Sequence, residues 1–212
     1  MTIKAILFDF DGVIVDSVNI KTEAFRELFS HEKEHLVEII DFHLANGGMS
    51  RFVKFEIIYR DILNKPLSNE KLQELGESFS RLVSQKVAEC QYMPGALEFI
   101  QKYSEKLPLF IASGTPQNEL LEIMAHRKLT SYFREIHGTP RGKSEIIHDI
   151  LSRYNFDADK LPFIGDAIND YKAAKETNLV FYGFVLEGND PFPPDVKIIH
   201  SFHELEYVLF NK

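Results

Sequence analysis

The sequence predicts an α/β protein: a parallel sheet flanked by helices, with a helical insert near the N-terminus. Three observations carry that expectation. From residue 94 onward, short apolar runs alternate with stretches of helical periodicity, the mark of βαβ units. The first run, Ile3 to Phe10, is almost wholly apolar, as a strand covered on both faces must be. Between these regions, from Ser17 to about Tyr92, apolar residues recur only at helical spacing and no convincing strand is found.

The elements follow in order. The first strand runs into Asp11-Gly12, a turn signal. In the insert, Ala24, Leu28 and Phe29, then Phe52, Phe55, Ile58, Tyr59 and Ile62, mark apolar helix faces. Asn46-Gly47-Gly48 and Lys65-Pro66 interrupt them. Pro94-Gly95 closes the insert. A helix from Ala96 to about Lys106 then leads to a strand at Leu109–Ala112. A helix from about Gln117 to Lys128 leads to a weak strand at Glu135–His137, and one from Lys143 to Tyr154 leads to Leu161–Ile164. A helix near Asp170, strands over Val180–Val185 and Val196–Ile199, and a last helix over His203–Phe210 complete the chain. Glu187–Pro194 reads as a surface loop. The expected division is a core of residues 1–16 and 94–212 and an insert of residues 17–93.

Composition narrows the function classes. The 212 residues are 44% hydrophobic and 26% charged, as in a soluble globular protein. The net charge of −8 argues against broad nucleic-acid binding, which depends on neutralising phosphates. A small anionic substrate remains compatible, because a site can be locally positive on an acidic protein. Cys90 is the only cysteine, so no intrachain disulfide forms and a cytoplasmic location is expected. The first apolar stretch is broken by Asp9 and Asp11 and does not read as a secretion signal. No apolar run has membrane-spanning length. A monomer is the default expectation, with a dimer left open.

Each apolar run hands over to polar residues at its C-terminal end. The first gives Asp9 and Asp11, the second Ser113, Gly114 and Thr115, the fourth Gly165, Asp166, Asn169 and Asp170. In open parallel sheets, ligands bind outside the carboxyl ends of the strands. Asp9, Asp11, Asp166 and Asp170 in one crevice would repel one another without a cation. Hard oxygen ligands of this kind suit Mg²⁺. Ser113, Lys143 and such a cation around one carboxylate make a receptor for a phosphoryl group. A carboxylate nucleophile divides the reaction into two easier steps, and a second carboxyl can move the protons. Taken singly, each residue has a plainer role: a turn former or helix cap for a lone Asp, a turn for Ser113–Pro116, a solvated charge for Lys143. Asp170 alone would be an acid favoured by a helix N-terminus. Their joint placement at strand ends is what points to a site.

The stretch Asp9-Phe10-Asp11-Gly12-Val13-Ile14-Val15-Asp16-Ser17 resembles the first motif of the haloacid dehalogenase superfamily. Ser113, Lys143 and Gly165-Asp166-Ala167-Ile168-Asn169-Asp170 resemble its second, third and fourth motifs in order. The insert is similar in place and size to the α-helical cap of the phosphoglycolate phosphatase and β-phosphoglucomutase branch. The resemblance implies a Rossmann-like core with a cap that closes over the substrate. It implies Asp9 as nucleophile and Asp11 as general acid/base with its main-chain carbonyl on Mg²⁺. Asp166 would be a metal ligand. Asp170 would ligate the metal directly, through water, or orient Lys143. Ser113 and the Gly114 amide would bind the phosphoryl group, and Lys143 would neutralise it. The presence of Asp11 argues against a dehalogenase, and Lys21 stands where β-phosphoglucomutases carry a His.

The implied activity is a Mg²⁺-dependent phosphomonoesterase acting on a small phosphorylated metabolite. In the cap, Gly47-Gly48-Met49-Ser50-Arg51 resembles the loop that dips toward the active site, so Arg51 is the candidate reader of a substrate anion. The plainer reading is a Gly-rich turn with a solvated Arg. Lys54, one turn later, is expected to fall short of the site. The alternatives are a phosphomutase using the same aspartyl-phosphate and a non-catalytic binding protein on the same fold. A P-loop at Gly138–Ser144 fails: only three residues separate its glycines, and one is Pro140.

Overall fold

The computed structural model describes residues 2–186 and 190–210. The strands are β1 (Ile6–Phe8), β2 (Leu109–Pro116), β3 (Glu135–Thr139), β4 (Phe163–Gly165), β5 (Phe181–Phe184) and β6 (Lys197–Ile199). They form one parallel sheet in the order β3-β2-β1-β4-β5-β6. β1 is central: Leu7 lies opposite Phe110 of β2 on one side and Phe163 of β4 on the other. The winding direction reverses between β1 and β4, and that reversal opens a crevice at the carboxyl ends of these strands.

The unbroken apolar runs are explained by burial on both faces. Ile6, Phe8 and Ile111 point to one face, where α5 (Ala96–Tyr103), α6 (Gln117–His126) and α9 (Phe202–Phe210) supply Phe99, Ile123 and Phe202. Leu7, Phe110 and Phe163 point to the other, against Ile147 and Ile150 of α7 (Lys143–Tyr154) and Ala174 of α8 (Ile168–Glu176). The alternation along β1 is the period-two geometry of a strand.

One strand is longer than the sequence suggests. β2 continues through Ser113-Gly114-Thr115 to Pro116, with a register irregularity after Ala112. The turn expected at Ser113–Pro116 is therefore a bulged strand end. β3 extends to Thr139 and gives Pro116 a partner there, so pairing outlasts the apolar run. Of the loop expected over Glu187–Pro194, residues 187–189 lie outside the described residues. Beyond them Phe192 is buried with its ring 5.3 Å from that of Phe181.

The segment between β1 and β2 folds as α1 (Val18–Leu28), α2 (Leu36–Ala45), α3 (Arg51–Ile57), a wider helical turn over Ile58–Ile62, and α4 (Asn69–Glu89), followed by α5. Its own core is aromatic. Phe25 sits 5.0 Å from Phe79 and 5.5 Å from Phe55, ring centre to ring centre, in edge-on and tilted contacts. The two crossings to the sheet lie side by side. Val15 bridges Tyr92, the Asp16 N–H donates to the Gln91 carbonyl at 3.0 Å, and the Met93 N–H to the Ile14 carbonyl at 3.0 Å. Among the described residues no helix is long and apolar enough to cross a membrane.

Candidate active site

The reversal point gathers acidic side chains from both outer motifs. Asp9 leaves β1 buried, its N–H donating to the Ile164 carbonyl of β4 at 2.9 Å. Its Oδ1 accepts from the Phe10 N–H at 2.7 Å and lies 3.0 Å from Lys143 Nζ. Nothing among the described residues holds its second oxygen. Asp166 follows β4, and Asp170 rises from the first turn of α8. Carboxylate oxygens of Asp9, Asp166 and Asp170 lie within 4.8 Å of one another. The turn after Asp11 brings main chain against this group. Gly12 adopts φ +76°, and a Cβ there would stand 2.1 Å from Asp166 Oδ2, so only glycine fits.

The electrostatics follow from crowding. Burial, then the charges of Asp170 and Asp11, outweigh Lys143 and push the Asp9 carboxyl up to about 7. Burial and the charges of Asp9 and Asp170 raise Asp166 well above the usual carboxylate range. Lys143 is buried too, which opposes its charge, but Asp170 and Asp9 more than compensate and hold it protonated. Three clustered carboxylates around one ammonium favour a further cation. All the candidate ligands are oxygens, so the donor set fits a hard divalent ion.

Asp11 faces elsewhere. Its carboxylate accepts from Ser17 Oγ at 2.6 Å and Thr115 Oγ1 at 2.9 Å, and pairs with Lys21 Nζ at 2.5 Å. Burial would raise this acid, but the Lys21 charge and the hydrogen bonds from Lys21, Ser17 and Thr115 win and hold it below its ordinary range. Lys21 also donates to Thr115 Oγ1 at 2.9 Å, so α1 of the insert is tied to the end of β2 through this acid. Ser113 is buried, and its Oγ accepts from the Thr115 N–H at 3.1 Å.

The insert forms the opposite wall of a cavity of about 530 Å³ that takes in Asp9, Asp11, Gly114 and Asp166. The loop between α2 and α3 dips into the site. A Cβ on Gly114 would stand 2.6 Å from the Gly48 carbonyl, so the two backbones can approach only because Gly114 lacks one. Asn169 Nδ2 donates to the Gly47 carbonyl at 2.8 Å.

Acidic pairs after β1 and β4, a lysine at the start of α7 and a helical lid make a constellation that can be compared with known proteins. The family of haloacid dehalogenase-like hydrolases matches residues 6–184. The chain belongs to that family. A phosphorylated carbohydrates phosphatase from Thermotoga maritima is 27% identical over 195 residues, covering 88% of this chain and 88% of that one. Among solved structures, a predicted phosphatase from Clostridium acetobutylicum superposes with a TM-score of 0.77 at 20% identity, over 100% of both chains. A predicted phosphoglycolate phosphatase from Haemophilus somnus 129PT gives 0.77 at 16% identity, over 98% of both. At these identities the structural matches speak for the fold.

Within this haloacid dehalogenase-like fold, Asp9, Asp11, Ser113, Gly114, Lys143, Asp166 and Asp170 come together at the strand reversal. Asp170 places one oxygen on Lys143 and the other on the Ala167 N–H at 3.1 Å, so it orients the lysine, as one of its expected roles, and caps α8 while staying within the carboxylate cluster. Arg51 is not a free anion reader. Its guanidinium makes a two-pronged pair with Glu119 of α6, at 2.6 and 2.9 Å, and donates to Ser80 of α4 at 2.8 Å. It is buried and already neutralised, and it ties the insert to the core. Lys54, expected to fall short, is instead buried against the cavity. Thr115, named only as a strand-end polar residue, proves to hold Asp11. Glu119 and His43 were missed, and neither carries a signal in the sequence.

Proposed function

We propose that the chain is a Mg²⁺-dependent phosphomonoesterase acting on a small phosphorylated metabolite through an aspartyl-phosphate on Asp9. One observation carries this reading. The Asp9 carboxylate is pinned through Oδ1 by the Phe10 N–H and Lys143, which leaves Oδ2 without a partner among the described residues, at a cavity that Asp9 and Asp11 both line.

Asp9 Oδ2 attacks phosphorus, and the bond to the ester oxygen breaks. The departing oxygen takes a proton from the Asp11 carboxyl. A water then attacks the phosphoryl group on Asp9, giving its proton to the Asp11 carboxylate, and inorganic phosphate leaves with Asp9 restored. The contacts of Asp11 with Lys21, Ser17 and Thr115 favour its carboxylate form, the one needed in this second half, and oppose the protonated form that the first half draws on. Lys143 lies against the attacking carboxylate and offsets charge as the phosphoryl group arrives. Asp9 and Asp166, with the Asp11 main-chain carbonyl and with Asp170 beside them as a direct or water-mediated ligand, would hold Mg²⁺. When bound, the ion supplies charge stabilisation for the phosphoryl oxygens. The insert walls one side of the cavity of about 530 Å³, and that confined volume supports a small substrate. The net charge of −8 and the lone Cys90 support a cytoplasmic enzyme without broad nucleic-acid binding, with a monomer as the default and a dimer left open.

The test is phosphate release from a panel of small phosphomonoesters, with and without Mg²⁺, in the parent and in Asp9→Asn. Release that requires Mg²⁺ and disappears in Asp9→Asn is the expected result. Release surviving that substitution would overturn the nucleophile and the mechanism built on it.

A further inference from the structure

We infer that Lys54 and His43 form a second anion subsite on the cap wall, and that the preferred substrate is an organic phosphate carrying a second anionic group at the end remote from the ester. The inference rests on the phosphatase reading for what is turned over, though not for what is bound.

Lys54 lies in α3 and is 4% exposed, yet no described carboxylate pairs with it. Its Nζ donates to the His43 carbonyl at 3.0 Å and meets His43 Nδ1 at 3.1 Å. Both partners are neutral. A buried ammonium with only neutral partners is costly unless something completes it. The cost is visible in its titration. Burial, then the neighbouring Lys21 charge, bring Lys54 down to about 7 despite the opposing pull of Asp166 and Asp11. Folding has nonetheless placed this cation on the wall of the cavity that holds Asp9.

His43 fits the same role. Burial, Lys54 and Lys21 bring its imidazole down to about 3, so it is neutral at ordinary pH. Facing an ammonium, Nδ1 must be the acceptor, and the ring proton therefore sits on Nε2. Among the described residues nothing accepts from Nε2, and His43 also lines the cavity. The ring is fixed by stacking on Phe25 at 4.1 Å. One free ammonium hydrogen and one imidazole N–H thus face the cavity beside the apolar Phe25 and Phe79. Apolar walls strengthen an ion contact by excluding water. The competing cation, Arg51, is already neutralised by Glu119. An anionic group entering here would complete Lys54 while the phosphoryl group occupies the site beside Asp9.

The experiment measures binding, which keeps it independent of turnover. Calorimetric titrations in Mg²⁺ compare ω-carboxyalkylphosphonates of increasing chain length and the matching α,ω-bisphosphonates with alkylphosphonates ending in methyl. The parent should bind at least one anion-ended probe about tenfold more tightly than its methyl-ended partner, as expected for a charge-assisted contact. Whether the carboxylate or the phosphonate series gains more identifies the second anion. Lys54→Met should bring the ratio toward unity, and Lys54→Arg, which keeps the charge, should retain part of it. Equal binding of matched probes by the parent overturns the inference, as does binding of neither series or an unchanged ratio in Lys54→Met. A clear preference in a protein that hydrolyses no phosphomonoester overturns the phosphatase reading and leaves the subsite standing.

Discussion

The core wall of the cavity presents Asp9, Asp11, Gly114 and Asp166 from the ends of adjacent parallel strands, whereas the cap wall presents Lys21, His43 and Lys54 from three different helices. On the core wall the charged groups answer one another: Lys143 reaches both Asp9 and Asp170, and Asp170 is held by the main chain at Ala167. On the cap wall one cation, Arg51, is fully matched by Glu119, and another, Lys54, is left with neutral partners. The core is therefore organised around chemistry common to any phosphate ester, and the cap around a charge that the rest of the substrate must supply. The balance on the core wall predicts a loss in turnover when it is disturbed. The imbalance on the cap wall predicts a loss in discrimination.

The largest expected effect separates those two consequences. Lys143→Met removes the one cation set between Asp9 and Asp170, and kcat should fall by about 10³, the scale of losing a well-placed electrostatic donor. Steady-state kinetics on a favoured substrate checks this. A variant in which KM rises while kcat stays put would place Lys143 in substrate recognition and erase the division between the walls.

This difference also explains what the sequence revealed. A residue that follows a buried apolar strand in a parallel sheet has little choice of location, so Asp9, Ser113 and Asp166 could be gathered without knowing any contact. Lys143 was legible for a similar reason, as the first residue of a helix after a strand. Arg51 and Lys54 are three apart on one helix and share a face. Both border the cavity, and which of them is left without a counter-charge depends on where α3 meets α6, a contact between segments some 68 residues apart. Glu119 decides it, and nothing around Glu119 marks it as a partner for the cap. The extension of β2 past Ala112 was hidden likewise, because it depends on the length of its neighbour β3.

The next effect tests the corrected role of Arg51. Breaking its pair by Arg51→Met leaves the half-buried Glu119 carboxylate with only the Ser80 hydroxyl, at 2.6 Å, which should cost about 2 kcal/mol in urea denaturation. Glu119→Leu should cost a comparable amount, and the double variant should recover much of the loss. The preference between anion-ended and methyl-ended probes should persist in the double variant. If it vanished with stability restored, Arg51 rather than Lys54 would be the reader.

The smallest effect is the pH dependence that His43 adds from the cap wall. His43 takes up a proton near its ordinary 6.5 when unfolded but only at about 3 in the fold, because burial and the facing charges of Lys54 and Lys21 oppose it. Between those values the unfolded chain binds more protons, so stability is full above 6.5 and falls as the pH drops toward 3. At pH 5.5 the loss from this group is about 1.4 kcal/mol. Urea midpoints at pH 7.5 and 5.5 for the parent and His43→Gln provide the comparison, with the acid-side decline expected to be shallower in the variant. Glu135, held down at about 2 mainly by Arg153, loses its stabilising pair only from about pH 4.5 downward, and Asp9, raised to about 7, gains stability on acidification in both proteins alike, so the difference between the two declines reports His43. Identical declines in the two proteins would mean that His43 is charged in the fold. The Lys54 ammonium would then face a second cation, and the acceptor role given to Nδ1 would fail.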